Sequence, residues 1–180
     1  EHSVPVYLTS RFVFDDAALY VGARLYDQQG PSGVISTVVR RDAFFNSDFF
    51  EVAIDGFHDH LGRAIFQVNP SGSRSDLLGV GGSCCDGGWD PVWDARTTID
   101  AEGWSVEMRI PFSQLRFSRD SAQLWGLQVR RFIKRREETA QWAMWTRTEQ
   151  GGPARFGHLE GITIDRSPAI QSPARTRPWP

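Results

Sequence analysis

Seven tryptophans in 180 residues, two adjacent cysteines and a short His-Asp-His run are the parts of this sequence that could do chemistry. An indole face can stack on the C–H face of a sugar ring, while planar polar side chains bond pairs of neighbouring hydroxyls. The tryptophans sort by their neighbours. Trp104 alternates with Val106, Met108 and Ile110, and Trp125 opens a strand, so both are expected in the core. Trp179 lies in a Pro-rich end and is uninformative. Trp89 and Trp93 flank a Pro-containing loop entry, and Trp142 and Trp145 precede a Gly-Gly-Pro loop. These four are the candidate exposed platforms, against the alternative that all pack on loops, because tryptophan is mostly buried. Gln128 and Arg130 fall on the outward face of their strand if Leu127 and Val129 point inward, and are candidate donors to sugar hydroxyls. The plainer reading of both is a solvated face or ion pairing with Glu137 or Glu138.

The other clusters are weaker. Asp42, Asn46 and Asp48 crowd one short segment and could contribute to the six to eight oxygens that calcium takes. Asp15, Asp16, Asp27 and Asp55 are further oxygens near strand ends, and none of this spacing fits an EF-hand loop. His58-Asp59-His60 offers two imidazoles, but a zinc site needs three or four nitrogen or sulfur ligands, and the sequence places no other to complete it. A turn linking two strands is the expected role. Cys84 and Cys85 cannot close a long loop, a bridge between them would be a small ring, and they read as two incidental thiols in a Gly-rich loop. Glu51 and Glu107 both face outward and are the carboxylate pair to weigh for a glycosidase. Neither stands out from an ordinary strand glutamate, and no nucleophile elbow or Ser-His-Asp pattern appears, so no catalytic residue is expected.

These residues are carried by strands. Leu19 to Tyr26, Phe50 to Asp55, Trp104 to Ile110 and Leu127 to Ile133 alternate with period two, the last placing Leu127, Val129, Arg131 and Ile133 on one face. Shorter runs at 6–14, 63–69, 95–100, 140–146 and 156–164 follow the same pattern. Turn-formers separate them, including Asp15-Asp16, Gln29 to Gly33, Asn69-Pro70-Ser71-Gly72 and Asp100 to Gly103. The expected fold is an all-β antiparallel sandwich of jelly-roll or immunoglobulin-like type, with about nine strands and one or two short helical turns. The helical candidates are Arg40 to Asn46 and Ser113 to Arg116, and Gly79 to Gly88 is expected to be a flexible loop with five glycines. Residues 1–166 form the expected domain and 167–180 a Pro-rich tail or linker. A net charge of −2 gives no reason to expect a nucleic-acid or anionic-membrane partner, and no apolar run reaches the ~20 residues of a transmembrane helix. Lys134 is the single lysine, a bias that genome base composition can produce. The start Glu1-His2-Ser3 shows no signal-peptide pattern, so any such segment belongs upstream or has been removed.

Three stretches taken in order resemble the family 9 carbohydrate-binding modules. They are Asp48 to Asp55, Gly103 to Phe112 followed by Leu115, and Trp125 to Val129 followed by Trp142 or Trp145 and then Phe156-Gly157-His158-Leu159. The chain is more similar still to the version at the N-terminus of bacterial outer-membrane β-barrel proteins, through Phe66 to Gly72, Trp89 to Trp93, Leu115-Arg116-Phe117 and the arginine-rich Arg130 to Arg135. The resemblance spans roughly residues 5–165. It departs from the family at the start, where a leading segment with an acidic pair and a tryptophan is missing, and no barrel follows, which implies an excised domain or a shortened relative. The resemblance implies non-catalytic binding of an oligo- or polysaccharide by an aromatic clamp, with Trp145 as the best-placed platform and structural calcium as the cofactor. It also implies an extracytoplasmic location, periplasmic, outer-membrane-associated or secreted. The alternative it carries is an interaction or gating domain attached to an outer-membrane barrel, without sugar binding.

Overall fold

The alternating segments pair into two antiparallel sheets whose apolar sides face each other. The structure, a computed structural model, describes residues 7–43, 45–80, 83–146 and 151–164, with backbone only for Ser83 and Cys84. The expected tail at 167–180, with Trp179, lies outside the described residues. The strands are β1 (Leu8–Phe14), β2 (Ala18–Tyr26), β3 (Phe49–Asp55), β4 (Arg63–Val68), β5 (Arg74–Val80), β6 (Ser83–Asp86), β7 (Asp94–Asp100), β8 (Gly103–Pro111), β9 (Ala122–Ile133), β10 (Glu138–Gln141) and β11 (Gly157–Thr163). One sheet runs β1-β2-β8-β7. The other runs β10-β9-β3-β4-β5-β6, with β11 also paired to β9. Because β3 takes one edge of the 12-residue β9, β10 and β11 share the other, β11 along its first half and β10 along its last residues.

The inward residues follow the predicted alternation. Leu19, Val21, Ala23 and Leu25 of β2 and Trp104, Val106, Met108 and Ile110 of β8 meet Phe50, Val52 and Ile54 of β3 and Trp125, Leu127 and Val129 of β9. Trp104 and Trp125 are fully buried, as expected of core residues.

Three expectations change. There are eleven strands among the described residues, not nine, because β5 and β6 enter what read as a glycine loop. β5 hides from a periodicity argument because its buried positions include Ser75 and Asp76. The described residues of 40–46 are not helical: Asp42 adopts a left-handed φ of 61°, its N–H donates to the Arg74 carbonyl (3.1 Å), and its carboxylate accepts from the Asp76 N–H (3.0 Å), pinning it along β5. The described helical pieces are short 3-10 turns, one of them, Phe112–Gln114, beside the expected Ser113 to Arg116. Finally, Cys85 is disulfide-bonded, which replaces the reading of incidental thiols.

One inward residue of β9 is charged. Arg131 is fully buried between the sheets, and its Nη1 donates to the carbonyls of Tyr26 (2.6 Å), the last residue of β2, and Tyr7 (3.3 Å), just before β1. Asp27 and Asp48, also buried, are its counter-charges, with Arg131 Nη2 3.7 Å from Asp27. Arg135 closes the group by bonding both carboxylate oxygens of Asp27, and Asp48 accepts from the Lys134 N–H at 2.8 Å. Two arginines and two aspartates balance. Burial pushes the Arg131 guanidinium down to about 10, still charged at neutral pH, and pushes the Asp48 carboxyl up.

Removing one member of a buried ion group leaves the others uncompensated, which costs about 3–5 kcal/mol. Arg131→Ala should therefore lower unfolding stability by that amount in urea titrations; a loss below about 1 kcal/mol would mean the carboxylates are relieved without it. At the same end of the sandwich, on the smaller sheet, Arg24 forks onto both oxygens of Asp100 (2.6 and 2.5 Å) and, by those hydrogen bonds first, lowers its carboxyl to about 2. A depressed carboxyl adds stability above its unfolded value near 3.8 and loses it as pH falls toward 2. NMR titration should find the Asp100 midpoint near 2, and Arg24→Gln should return it toward 3.8.

Candidate functional site

The outer face of the larger sheet carries a polar floor built by strand register. Glu51 of β3 stands opposite Arg130 of β9 and Gln67 of β4, and Ala53 stands between Gln128 and Ile65. Glu51 is 2% exposed although it points away from the core. Its Oε1 accepts from Arg130 Nε at 2.6 Å and from Nη2, and its Oε2 accepts from Gln67 Nε2 at 2.7 Å. The carboxylate thus holds Arg130 in one orientation and leaves Nη1 uncommitted among the described residues.

Over this floor lies a groove of about 380 Å³, lined by Trp145, Arg130, Arg63, His60, Pro153 and Phe156 together with Gly151, Gly152 and Ala154. Burial depresses the Arg63 guanidinium, helped by the neighbouring Arg130 charge and opposed by Glu51. The loop that supplies Trp145 is fixed by Gln128. The Gln128 amide donates to the Ala143 carbonyl (2.6 Å) and accepts from its N–H (2.9 Å), copying a backbone pair, and the Trp142 N–H donates to the Val129 carbonyl (3.0 Å). Two glycines let the indoles close down: a Cβ on Gly151 would meet the Trp145 ring at 2.3 Å, and one on Gly157 the Trp142 ring at 2.4 Å.

Of the residues expected to bind sugar, Trp145 and Arg130 line the groove. Gln128 is 1% exposed and wholly engaged with Ala143 and its own strand, so it supports the loop instead of reaching a hydroxyl. Trp142 is exposed and rests against Gly157, outside the groove lining. Trp93 is buried, donating its Nε1 to Asp76 at 2.9 Å. Trp89 packs edge-on against Phe66 and walls a separate, mainly apolar cavity of about 340 Å³ with Phe57, Leu61, Leu78 and Leu115. Glu51 and Glu107 lie on the outer faces of opposite sheets and cannot share a substrate. Sequence reasoning missed His60, Arg63 and Phe156. The signal for Arg63 was available, because it alternates with Ile65 and Gln67 on the outward side of β4.

The carboxylates sort differently from the sequence grouping. Asp42 joins Asp76 and Asp90, with ligand oxygens all within 4.8 Å of one another, while Asp48 belongs to the Arg131 group and Asn46 is exposed. Arg41 Nη2 lies within this triad, 2.6 Å from Asp76 and 3.0 Å from Asp90, and also donates to the Pro91 carbonyl. Asp76 is fully buried, its Oδ2 has no hydrogen-bond partner among the described residues, and burial raises its pKa.

This architecture has known counterparts. A Bacteroides uniformis protein with a provisional carbohydrate-binding description superposes with a TM-score of 0.68 at 11% identity, covering 90% of this chain and 80% of that one. A family 9 carbohydrate-binding module from Caldicellulosiruptor kristjanssonii in complex with glucose superposes with a TM-score of 0.62 at 19% identity, covering 94% and 83%. The same kind of module in complex with cellotriose gives 0.60 at 18%, covering 93% and 82%. The fold is that of the family 9 carbohydrate-binding modules. No protein-family model matches the chain, and no curated protein matches it by sequence.

Because Gln128 holds Ala143 from both sides in a buried setting, Gln128→Ala should free the segment bearing Trp142 and Trp145. Acrylamide quenching of tryptophan emission should rise while the melting transition stays cooperative, with a stability loss of about 1–3 kcal/mol. Unchanged quenching would show that Gly151 and Gly157 hold the indoles unaided.

Proposed function

We propose that this chain is a non-catalytic carbohydrate-binding module whose site is the groove of Trp145, Arg130, Arg63 and His60. The observation that carries this reading is the combination, in one groove, of an indole wall and a guanidinium locked by the buried Glu51. The indole gives a flat apolar face for pyranose C–H groups, and the fixed Arg130 presents donors to adjacent hydroxyls without an ordering cost at binding. The groove volume lies within the range of small-ligand sites. A gluco-oligosaccharide is the ligand class we assign, in keeping with the glucose and cellotriose complexes of the matched modules. The clamp here has one tryptophan wall among the described residues, with Phe156 as the second aromatic side chain.

Calcium fits the acidic triad better than the segment 42–48. Three carboxylates against one arginine leave an excess of two negative charges, and the unpartnered Asp76 Oδ2 is a ready oxygen ligand. An extracytoplasmic location agrees with the disulfide at Cys85, since such bonds persist in oxidising compartments.

Titration of tryptophan fluorescence with glucose, cellotriose and a panel of other oligosaccharides, first with calcium and then with chelator, tests the reading. Saturable binding of cellotriose is expected, weakened by about 2 kcal/mol or more, roughly 30-fold, in Trp145→Ala. Calcium should raise the melting temperature of the wild type and leave Asp76→Asn unmoved. A folded protein with no response to any glucan would sink the carbohydrate assignment.

A further inference from the structure

The groove carries a charge imbalance that a neutral glucan leaves unused. Its lining includes the guanidinia of Arg63 and Arg130 and the His60 imidazole, but no carboxylate among the described residues. The acidic groups nearby are all engaged elsewhere. Glu51, 2% exposed, has both oxygens bonded to Arg130 and Gln67. Asp55 is equally buried and its carboxylate accepts from the His60 N–H at 2.8 Å. Asp59 accepts from the Leu61 and Gly62 N–H groups and lines the separate apolar cavity.

Arg63 is the residue this leaves short. Six described arginines are not exposed: Arg24, Arg63, Arg74, Arg130, Arg131 and Arg135. Five of them pair with a carboxylate, and Arg63 does not. Its Nη2 lies 3.9 Å from the Cys85 sulfur, a weak acceptor. Its Nη1 reaches the loop on the groove's other side, where a Cβ on Gly152 would stand 3.7 Å from it. Arg130 has Nη1 to spare as well, because Glu51 takes only its Nε and Nη2. Two half-buried guanidinia thus share one carboxylate, a state that costs free energy until a second negative charge arrives.

We infer that the groove selects a gluco-configured saccharide carrying a carboxylate, a glucuronate unit, with Arg63 and Arg130 taking up its charge. Such a unit differs from glucose only in a carboxylate at C6. It keeps the C–H face that an indole stacks on and adds a planar anion of the shape a guanidinium fork fits. The inference rests on the carbohydrate reading and narrows it.

Calorimetric titration with cellobiose and with cellobiouronate, a pair differing only at C6 of one ring, tests it. At low ionic strength cellobiouronate is expected to bind at least about tenfold tighter, the margin of a charge-assisted hydrogen bond. Roughly 0.5 M NaCl should erode that margin several-fold and leave cellobiose binding where it was. Trp145→Ala should weaken both disaccharides and keep the margin, while Arg63→Gln, checked for folding by circular dichroism, should abolish it. Should that variant not fold, the salt dependence of the wild type decides. Equal affinity for the two disaccharides would overturn the inference and leave the carbohydrate reading standing; no binding of either by folded protein would end both. A margin kept in Arg63→Gln, or polyglutamate bound as tightly as cellobiouronate, would also overturn it.

Discussion

Placing a guanidinium inside a sandwich is costly unless it is paired, and the pairing of Arg131 fixes the relation of the two sheets. Its bonds to the Tyr7 and Tyr26 carbonyls join the larger sheet to the smaller, and Asp27 and Asp48 bring the segments after β2 and before β3 to the same point. Apolar contacts tolerate sliding by small amounts; a charged group with carbonyl partners at defined positions does not. The register of β9 is thereby set from within.

That register is what makes the outer face a site. In a strand, a shift of one residue exchanges the faces, so Arg131 inside obliges Arg130 and Gln128 outside. Arg130 then meets Glu51 across the β3 ladder, and Gln128 meets the loop that continues from β10. Glu51 is held there although buried, because Arg130 and Gln67 between them bond both of its oxygens. The division of labour is clear in the geometry. Trp145 and Arg130 line the groove, and Glu51 and Gln128 keep them in place from below.

Much of this was legible in the sequence, and the limits have physical causes. Period-two alternation gave the strands, the core tryptophans and the inward direction of Arg131, because these depend only on which face meets the core. Alternation also put Gln128 and Glu51 outward, but outward is not the same as exposed: a loop covers this part of the sheet, and no local pattern reports it. The same cause misplaced Trp93, whose indole is buried because Asp76 offers it an acceptor from a strand that carries polar residues inward. Asp42 and Asp48, six residues apart, ended in different charge groups because the chain between them turns from β5 toward β9. The ring contact of His158 with His58 became visible only through the β3-β9-β11 pairing.

The groove is built from two kinds of part. It takes its floor from the strongly paired sheet and its walls from residues beyond β10. The chain from Trp142 to Phe156 is tied at one end by the Gln128–Ala143 pair and the Val129 carbonyl, and at the other by the 3-10 turn at Pro153–Arg155. Glycine at 151 and 157 lets the indoles of Trp145 and Trp142 each rest on backbone. A site made this way can change its specificity by changing loop residues while β9 and its buried charges stay as they are. The sandwich supplies the fixed floor, and the loops at its edge decide what is held there.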